Sequence, residues 1–336
     1  MDRDGNVAAL LRNQTSSLDR VELISAGRRT ILSPPSTALL GASFFAAQLD
    51  ASGRRAFPQA RLVSVALASG RPIVTIANPV AGAYSGVEAA SFMWERERWH
   101  RILPLATTDR NNYWIVAGSS SALIFGVDDL AEQPSYIAAH SNGYPEAVGT
   151  AILRDGRMEK MLRGPIPTGG QDGMFWGYRL SAADGGSTRP HAVVWRAGVL
   201  HDLYQGVAWG ANTNSVIVGD DRISLNAYGH PMIYANAHAQ MISRAQGTAY
   251  DVSGGGFVVG SIARDAGSNA AFVFDLHATP PTLTLIDQLL SGRQVHVSDA
   301  YFVASDGSIL GLATKGRNVS VVLLRPLRKS TRNCGK

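Results

Sequence analysis

Residues 189–220 are the stretch that most restricts how this chain can fold. They read RPHAVVWRAGVLHDLYQGVAWGANTNSVIVGD and contain four short apolar runs, each followed by a turn. We predict strands at 191–195, 199–203, 207–211 and 215–219, because short apolar runs bounded by Gly, Asn and Asp are typical of β-hairpins. Looser copies of this pattern fill most of the remaining chain.

Two kinds of hairpin alternate along the chain. In one, a Gly, Asn or Asp turn leads into an apolar pair or run, as in Asn212–Ser215 before Ile217-Val218-Gly219. In the other, a turn with Gly or charged residues separates two apolar strands, as at 151–162 and 272–289. Gly, Asn and Asp tolerate the positive φ angles that tight hairpin turns require. No long stripe with a period of 3.6 residues is visible, so few helices are expected.

The copies recur at a spacing of about 40 to 50 residues, which is typical of a repeat of four short strands. Repeats of this kind arranged radially form a β-propeller. We therefore predict an all-β chain with four-stranded blades; the hairpins favour seven blades, and six or eight also fit. The propeller is expected to be a single domain over residues 1–327, followed by a basic, polar tail at 328–336. A large β-sandwich or barrel is the alternative, and the alternation of two hairpin types favours the propeller.

One unit resembles a known family of repeats. His191-Ala192-Val193-Val194-Trp195, Gly198-Val199, Asp202-Leu203 and Val218-Gly219 are similar to the HAF repeat of bacterial proteins, written roughly His-Ala-Phe-x-Trp, Gly, Asp-Leu, Asn-x-x-Gly-x-Val-Val-Gly. The match is good in residues 189–220 alone and partial in 91–94, 250–260 and 271–274. The resemblance implies a propeller in an extracellular or cell-envelope protein. It implies no catalytic residues, because the family has no uniform set.

Composition excludes several classes of function. The chain has a net charge of +5, but its basic residues are scattered, so no nucleic-acid partner is predicted. Its single cysteine, Cys334, excludes an intramolecular disulfide, a cysteine-based zinc site and a Cys-x-x-Cys redox pair. No run of about 18 apolar residues is present, so no membrane span is predicted.

The first residues show no signal-peptide pattern and enter directly into an apolar strand. Two explanations remain open. The C-terminal strand at 319–324 closes the ring beside the N-terminal strands, or a leader and a first strand lie upstream of the given sequence.

Long polar loops are where a propeller is expected to bind or react. The candidates for catalysis are His230 and Tyr228, near Asp220 and Asp221, and a second group of His296 with Arg293 and Asp299. Histidine is the natural acid–base residue near neutral pH. Solvated loop residues are the simpler reading of both groups.

Candidates for ligand binding lie in two other loops and at one tryptophan: Arg110, Asn112, Gln171, Asp172 and Trp176. Trp195 and Trp209 recur at the positions of Trp94 and Trp114, which indicates packing in the core. Trp99, in a charged segment, is the tryptophan expected to be exposed.

No metal site or cofactor is predicted, because no recognised ligand spacing is present. We expect a non-catalytic binding or interaction propeller of a bacterial envelope or secreted protein, with a glycan or protein partner on one face. The alternative is a propeller enzyme acting on polysaccharide, either a lyase or a glycoside hydrolase. An enzyme would bring His, Tyr, Arg or carboxylates together within hydrogen-bonding reach.

Overall fold

The structure is a computed structural model, and it describes residues 7–11, 20–25, 28–33, 35, 61–79, 87–103, 111–119, 122–129, 149–171, 174–182, 188–235, 238–264, 268–290, 295–315 and 318–326. The chain divides into two compact units, Met1–Ala208 and Trp209–Lys336. Nearly all of the described elements are strands, each hydrogen-bonded to strands that are its neighbours in sequence.

The first unit contains four antiparallel sheets. They are formed by β1 (Val7–Leu11), β2 (Arg20–Ser25) and β3 (Arg28–Leu32); by β4 (Arg61–Ala68), β5 (Arg71–Pro79), β6 (Val87–Glu95) and β7 (Arg98–Leu103); by β8 (Asn111–Gly118), β9 (Leu123–Asp129), β10 (Gly149–Arg154) and β11 (Arg157–Arg163); and by β12 (Pro165–Gln171), β13 (Met174–Ala182), β14 (Thr188–Arg196) and β15 (Val199–Gln205).

Three further sheets follow. They are formed by β16 (Val207–Ala211), β17 (Ile217–Asp220), β18 (Pro231–Ala235) and β19 (His238–Met241); by β20 (Gly247–Val252), β21 (Phe257–Ala263), β22 (Asn269–Asp275) and β23 (Thr282–Leu285); and by β24 (His296–Val303), β25 (Ile309–Lys315) and β26 (Asn318–Leu324). β16 crosses the division between the two units, and all later strands belong to the second.

The fold is a β-propeller of seven antiparallel blades, which confirms the predicted fold class. Five of the sheets show four strands, and the first and last show three among the described residues. Each sheet runs in chain order from its first strand to its last, so every connection within a sheet is a hairpin. This is the expected result of frequent turn residues between short apolar runs.

The repeat recognised in the sequence is offset from the sheets by two strands. Its first two strands, β14 and β15, are the last two of one sheet, whereas β16 and β17 begin the next sheet. Gly206 joins the two halves with a φ angle of 122°, and its N–H donates to the carbonyl of Pro190 at 2.8 Å. The sequence repeat therefore spans two sheets that follow each other along the chain, and a sheet takes strands from two successive repeats.

Apolar side chains pack between successive sheets. In the first unit, Ile73 and Leu103 from one sheet form a buried cluster with Ile115, Phe125 and Leu153 from the next. In the second unit, a corresponding cluster combines Val218 and Ile233 with Ala249, Val258 and Phe272. This packing removes the apolar side chains of these clusters from water, and such burial supplies the main favourable free energy of folding.

Two details differ from the predictions. The predicted hairpin at 272–289 ends earlier, because its last four residues form a short helix, α1 (Ile286–Leu289). Trp99 is 6% exposed rather than on the surface. Its indole N–H donates to the carbonyl of Ser33 at 2.8 Å, and its ring lies edge-on to Trp94, so the polar end of the side chain is satisfied inside the first unit.

Over the described part of the chain, we find no helix with the length and apolar character needed to cross a membrane.

Candidate ligand-binding surface

Aromatic residues occupy one repeated position on the first strands of three successive sheets. They are Trp209 on β16, Tyr250 on β20 and Tyr301 on β24. Each follows an alanine and stands ten residues before a glycine on the second strand of its sheet. We call these three residues the aromatic row.

The backbone aims two of these side chains by means of β-bulges. Ala249 and Asp251 pair with consecutive residues of β21, so Tyr250 is the extra residue between them. Tyr301 is likewise the extra residue between Ala300 and Phe302. A bulge releases a residue from the regular pleat and redirects its side chain, and such bulges are common beside functional sites.

The rings of the aromatic row are in contact. The ring centroids of Trp209 and Tyr250 lie 6.4 Å apart with the planes at 66°, and those of Tyr250 and Tyr301 lie 4.9 Å apart with the planes at 48°. Trp209 and Tyr250 are half-buried, and Tyr301 is 41% exposed. The row therefore presents a continuous, partly open aromatic surface in the second unit.

A buried carboxylate supports the Trp209 end of the row. Asp220 is fully buried, and its oxygens accept hydrogen bonds from the indole N–H of Trp209 at 2.8 Å and from the hydroxyl of Thr248 at 3.0 Å. The guanidinium of Arg222 binds both oxygens of the same carboxylate, at 2.6 and 2.7 Å, and lies 5.4 Å from the centre of the Trp209 ring. Tyr234 adds a bond from its hydroxyl to the Asp220 carbonyl at 2.9 Å. These contacts fix the orientation of the indole.

At the tyrosine end of the row, burial and the charge of a second carboxylate, Asp299, raise the pKa of both tyrosines. Burial, followed by the negative charges of Asp299 and of an ionised Tyr250, raises the pKa of Tyr301 to about 12. Burial is also the largest cause of the raised pKa of Tyr250, and the charge of Asp299 adds to it, whereas Ser261, Thr248 and Arg222 act against it. Both hydroxyls are therefore protonated at neutral pH.

The residues of the first predicted catalytic group are not brought into one cluster. His230 places its ring Nδ1 3.2 Å from both carboxylate oxygens of Asp221, and its backbone N–H donates to the same carboxylate at 2.6 Å. Tyr228 is 80% exposed. Asp220, the second nearby carboxylate, is bound by Trp209, Thr248 and Arg222 instead. The loop therefore contains one histidine–carboxylate pair and one separate structural carboxylate.

The second predicted group is also arranged differently. His296 contacts Asp287 through Nδ1 at 2.7 Å and the carbonyl of Asn269 through Nε2 at 2.8 Å. Asp287, in α1, also accepts the N–H of Val297 at 2.9 Å. Arg293 lies outside the described residues. Asp299 belongs with the tyrosines of the aromatic row, and its charge acts on Tyr250 and Tyr301.

Three of the predicted ligand-binding residues are described by the structure, and they lie in the first unit. Gln171 ends β12 opposite Met174, and Trp176 is buried on β13. An added methyl group on Gly169 would meet the Trp176 indole at 2.6 Å, so this ring lies against the glycine backbone. Asn112 lies on β8 opposite Asp128. Arg110 and Asp172 lie outside the described residues.

Tyr250 and Tyr301 were missed by the sequence analysis, although a signal for them exists. Ala208-Trp209, Ala249-Tyr250 and Ala300-Tyr301 place an aromatic residue after alanine at the same distance from a glycine in three copies. The recurrence of Trp209 at the position of Trp114 predicts core packing instead. The bulges that turn Tyr250 and Tyr301 into the same row are backbone features that residue identity does not reveal.

Metal ligation gains no support from the part of the chain that is described. Among those residues, no three His, Cys, Asp or Glu side chains come close enough to hold a metal ion together.

Comparisons with known proteins identify the fold. No protein-family model matches the chain, and no curated protein matches it. Among solved structures, the chain is similar to the β-propeller domain of the trilobed protease from Pyrococcus furiosus, with 8% identity and a TM-score of 0.55 over 95% of this chain and 88% of that one. It is also similar to the acylaminoacyl peptidase of Pyrococcus horikoshii, with 9% identity and a TM-score of 0.54 over 95% of this chain. The match covers 49% of the peptidase chain, so this chain spans about half its length. At such low identity, these similarities show the β-propeller fold alone.

Proposed function

We propose that this chain is a non-catalytic binding propeller and that the aromatic row is its ligand-binding surface. The observation that supports the proposal is the contact of three aromatic rings from equivalent positions of successive first strands, with Tyr301 partly open to solvent. Rings of this kind combine an apolar face with a polar edge. They suit the face of a sugar ring or an apolar side chain of a protein partner.

The arrangement of the histidines favours binding over catalysis of polysaccharide cleavage. His230 and His296 each pair with their own aspartate, Asp221 and Asp287. Tyr228 is largely exposed to solvent. A lyase or glycoside hydrolase needs its acid, base and charge-stabilising groups directed at one reacting bond. The described histidine pairs do not provide that convergence.

The place of action that we propose is the cell envelope or the extracellular space of a bacterium. This proposal rests on the resemblance of residues 189–220 to the HAF repeat. The similarity to the propellers of two peptidases adds a second possibility for the ligand, namely a peptide. A glycan and a protein or peptide are thus the two ligand classes to be compared.

Binding arrays of glycans and of peptides, probed with the full chain, test the proposal. We expect at least one class to bind and Tyr301→Ala to weaken that binding about tenfold, which corresponds to the loss of one well-packed aromatic contact. Tyr204→Ala is the matched control, because Tyr204 is a 55% exposed tyrosine on β15, the last strand of its sheet. It should bind as the unmodified chain does.

A screen for polysaccharide degradation separates the two functions. Release of oligosaccharides that depends on His230 or His296 would replace the binding proposal with the enzymatic alternative. Binding that is unchanged in Tyr301→Ala would also overturn it, because the aromatic row would then not be the ligand surface.

A further inference from the structure

Asp299 is a buried aspartate beside the aromatic row, and its carboxylate has no partner among the residues that the structure describes. It is 9% exposed, and it forms no hydrogen bond or ion pair with any residue that the structure describes. The other buried aspartates near the row are bound by donors: Asp220 by Trp209, Thr248 and Arg222, and Asp251 by the N–H of Val303. A carboxylate without a cationic partner can accept a charge-assisted hydrogen bond from a cation of a ligand.

Asp299 lies on the same strand as Tyr301, two residues before it. Two residues along a strand are separated by about 7 Å, so the carboxylate lies in the neighbourhood of Tyr301, although the bulge at Tyr301 interrupts the regular alternation of faces. The Tyr250 ring, in contact with Tyr301, extends that surface onto β20. The result is a carboxylate bordered by two tilted aromatic rings.

Arg222, which lies at the Trp209 end of the aromatic row, already binds the carboxylate of Asp220. Its guanidinium forms two short bonds to Asp220 and lies over Trp209 at the far end of the row. The positive charge of Arg222 and the negative charge of Asp220 therefore balance each other. The charge of Asp299 remains uncompensated within the described residues.

We propose that Tyr250, Tyr301 and Asp299 form a subsite for an alkylammonium group of the ligand. An ammonium group is attracted to the faces of aromatic rings within about 6 Å, and a carboxylate at the same place adds a charge-assisted hydrogen bond. A primary ammonium occurs both on lysine side chains and on amino sugars without an N-acetyl group. This inference rests on the proposed binding function and specifies the chemistry of the ligand.

The electrostatics of the tyrosines support the same assignment. Besides burial, the charge of Asp299 contributes to the raised pKa of both Tyr250 and Tyr301. The negative potential at the two rings therefore marks the place where a ligand cation would be stabilised.

Calorimetric or NMR titration with matched small probes tests the subsite. The first pair is Nα-acetyl-lysine methylamide and its Nε-acetylated, uncharged counterpart; the second is glucosamine and N-acetylglucosamine. We expect the charged member of at least one pair to bind at least tenfold more tightly than its neutral counterpart. The pair that shows the difference identifies the source of the ammonium group as a polypeptide or a saccharide.

Asp299→Asn is the decisive variant, because it removes the charge and keeps the shape of the side chain. It should reduce the preference for the charged probe by at least tenfold. Asp155→Asn is the control, since Asp155 is an exposed aspartate in the turn between β10 and β11 and asparagine tolerates its positive φ angle. A thermal unfolding curve for each variant establishes that the fold is retained.

The outcomes distinguish this inference from the proposed function. A ligand whose binding depends on Tyr301 but is equal for charged and neutral probes, or unchanged in Asp299→Asn, overturns the ammonium subsite and leaves the binding surface in place. The absence of any binding that depends on Tyr301 overturns both. A charge preference lost in Asp299→Asn supports both.

Discussion

The indole N–H of Trp209 donates to the fully buried carboxylate of Asp220 at 2.8 Å. The same carboxylate binds the guanidinium of Arg222 through both oxygens and the hydroxyl of Thr248 through one. The buried Asp220 carboxylate thus connects β16 and β17 of one sheet with β20 of the next. It also fixes the position of the Trp209 ring, the first ring of the aromatic row.

Removal of this carboxylate should destabilise the second unit strongly. Asp220→Ala leaves the Arg222 guanidinium, the Trp209 N–H and the Thr248 hydroxyl without their acceptor, and the expected loss is about 3–5 kcal/mol of unfolding free energy. Denaturant titration measures it. Asp202→Ala is the comparison, because Asp202 pairs with Arg179 at an exposed site and its loss should cost less than about 1 kcal/mol. Similar losses in the two variants would contradict the structural role of Asp220.

The close approach of β16 to β20 should make Gly210 intolerant of a side chain. A methyl group at this position would lie 2.5 Å from the carbonyl oxygen of Tyr250 and 2.6 Å from the Cα of Asp251, both backbone atoms. Gly210→Ala should therefore separate the strands and cost about 1–3 kcal/mol. Gly254→Ala is the control, since nothing lies within 4 Å of its added methyl group, and its effect should stay within about 0.5 kcal/mol. Equal midpoints of chemical unfolding for the two variants would refute the close approach.

The stability of the chain should depend on pH because the carboxyl group of Asp251 titrates differently in the folded and unfolded states. Burial raises the pKa of this carboxyl group from 3.8 to about 6, although the N–H of Val303 donates to it at 2.9 Å. Between these two pH values, the native state holds a proton that the unfolded chain has released. The contribution of Asp251 to stability therefore falls as pH rises from about 4 to 6 and stays low above that range.

Asp251→Asn tests this dependence, because asparagine cannot ionise and can still accept the Val303 hydrogen bond. Relative to the unmodified chain, the variant should gain on the order of 2–3 kcal/mol of unfolding free energy between pH 4 and pH 7. Denaturant unfolding of both proteins at the two pH values measures the gain. A difference that is the same at both pH values would exclude the titration of Asp251 as its source.

The hairpin between β14 and β15 offers a stabilising substitution. Ala197 has a φ angle of 49° and Gly198 one of 84°, so both turn residues lie in the left-handed region. Alanine is strained there and asparagine is tolerated, and Asn-Gly is the preferred pair in such two-residue turns. Ala197→Asn should raise the unfolding free energy by about 0.5–1 kcal/mol. Gly198→Ala should lower it, although its methyl group would meet no neighbour within 4 Å, because the cost is conformational. A decrease with Ala197→Asn would show that this turn adopts another geometry.

The fold could be predicted because local chemistry determines it at many places. The Asn212 turn and the Ala197-Gly198 turn each specify a hairpin, and the apolar runs between them specify strands. The boundaries between sheets were harder to predict, because the recognisable repeat at 189–220 contributes strands to two sheets. Turn residues indicate where strands reverse, but they do not indicate which hairpins share a sheet.

The binding surface was harder to predict, because its residues are distant in sequence and a bulge directs each tyrosine. Histidine was predicted to be catalytic because its ordinary pKa lies near neutrality, yet His230 and His296 each contact a separate aspartate. The predicted exposure of Trp99 was wrong for a related reason. A charged segment indicates exposure, but the carbonyl of Ser33 accepts the indole N–H of Trp99 inside the structure. In each case, the deciding contact comes from a residue remote in the chain or from the backbone.

The bulges of the first strands have a wider consequence for how such a chain can change. Val116 on β8 is an extra residue in the same manner as Tyr250 and Tyr301. An extra residue takes no part in the cross-strand pairing, so its side chain can be exchanged with little effect on the ladder around it. The scaffold thus offers a series of adjustable positions, and new specificities could be built by altering them one sheet at a time.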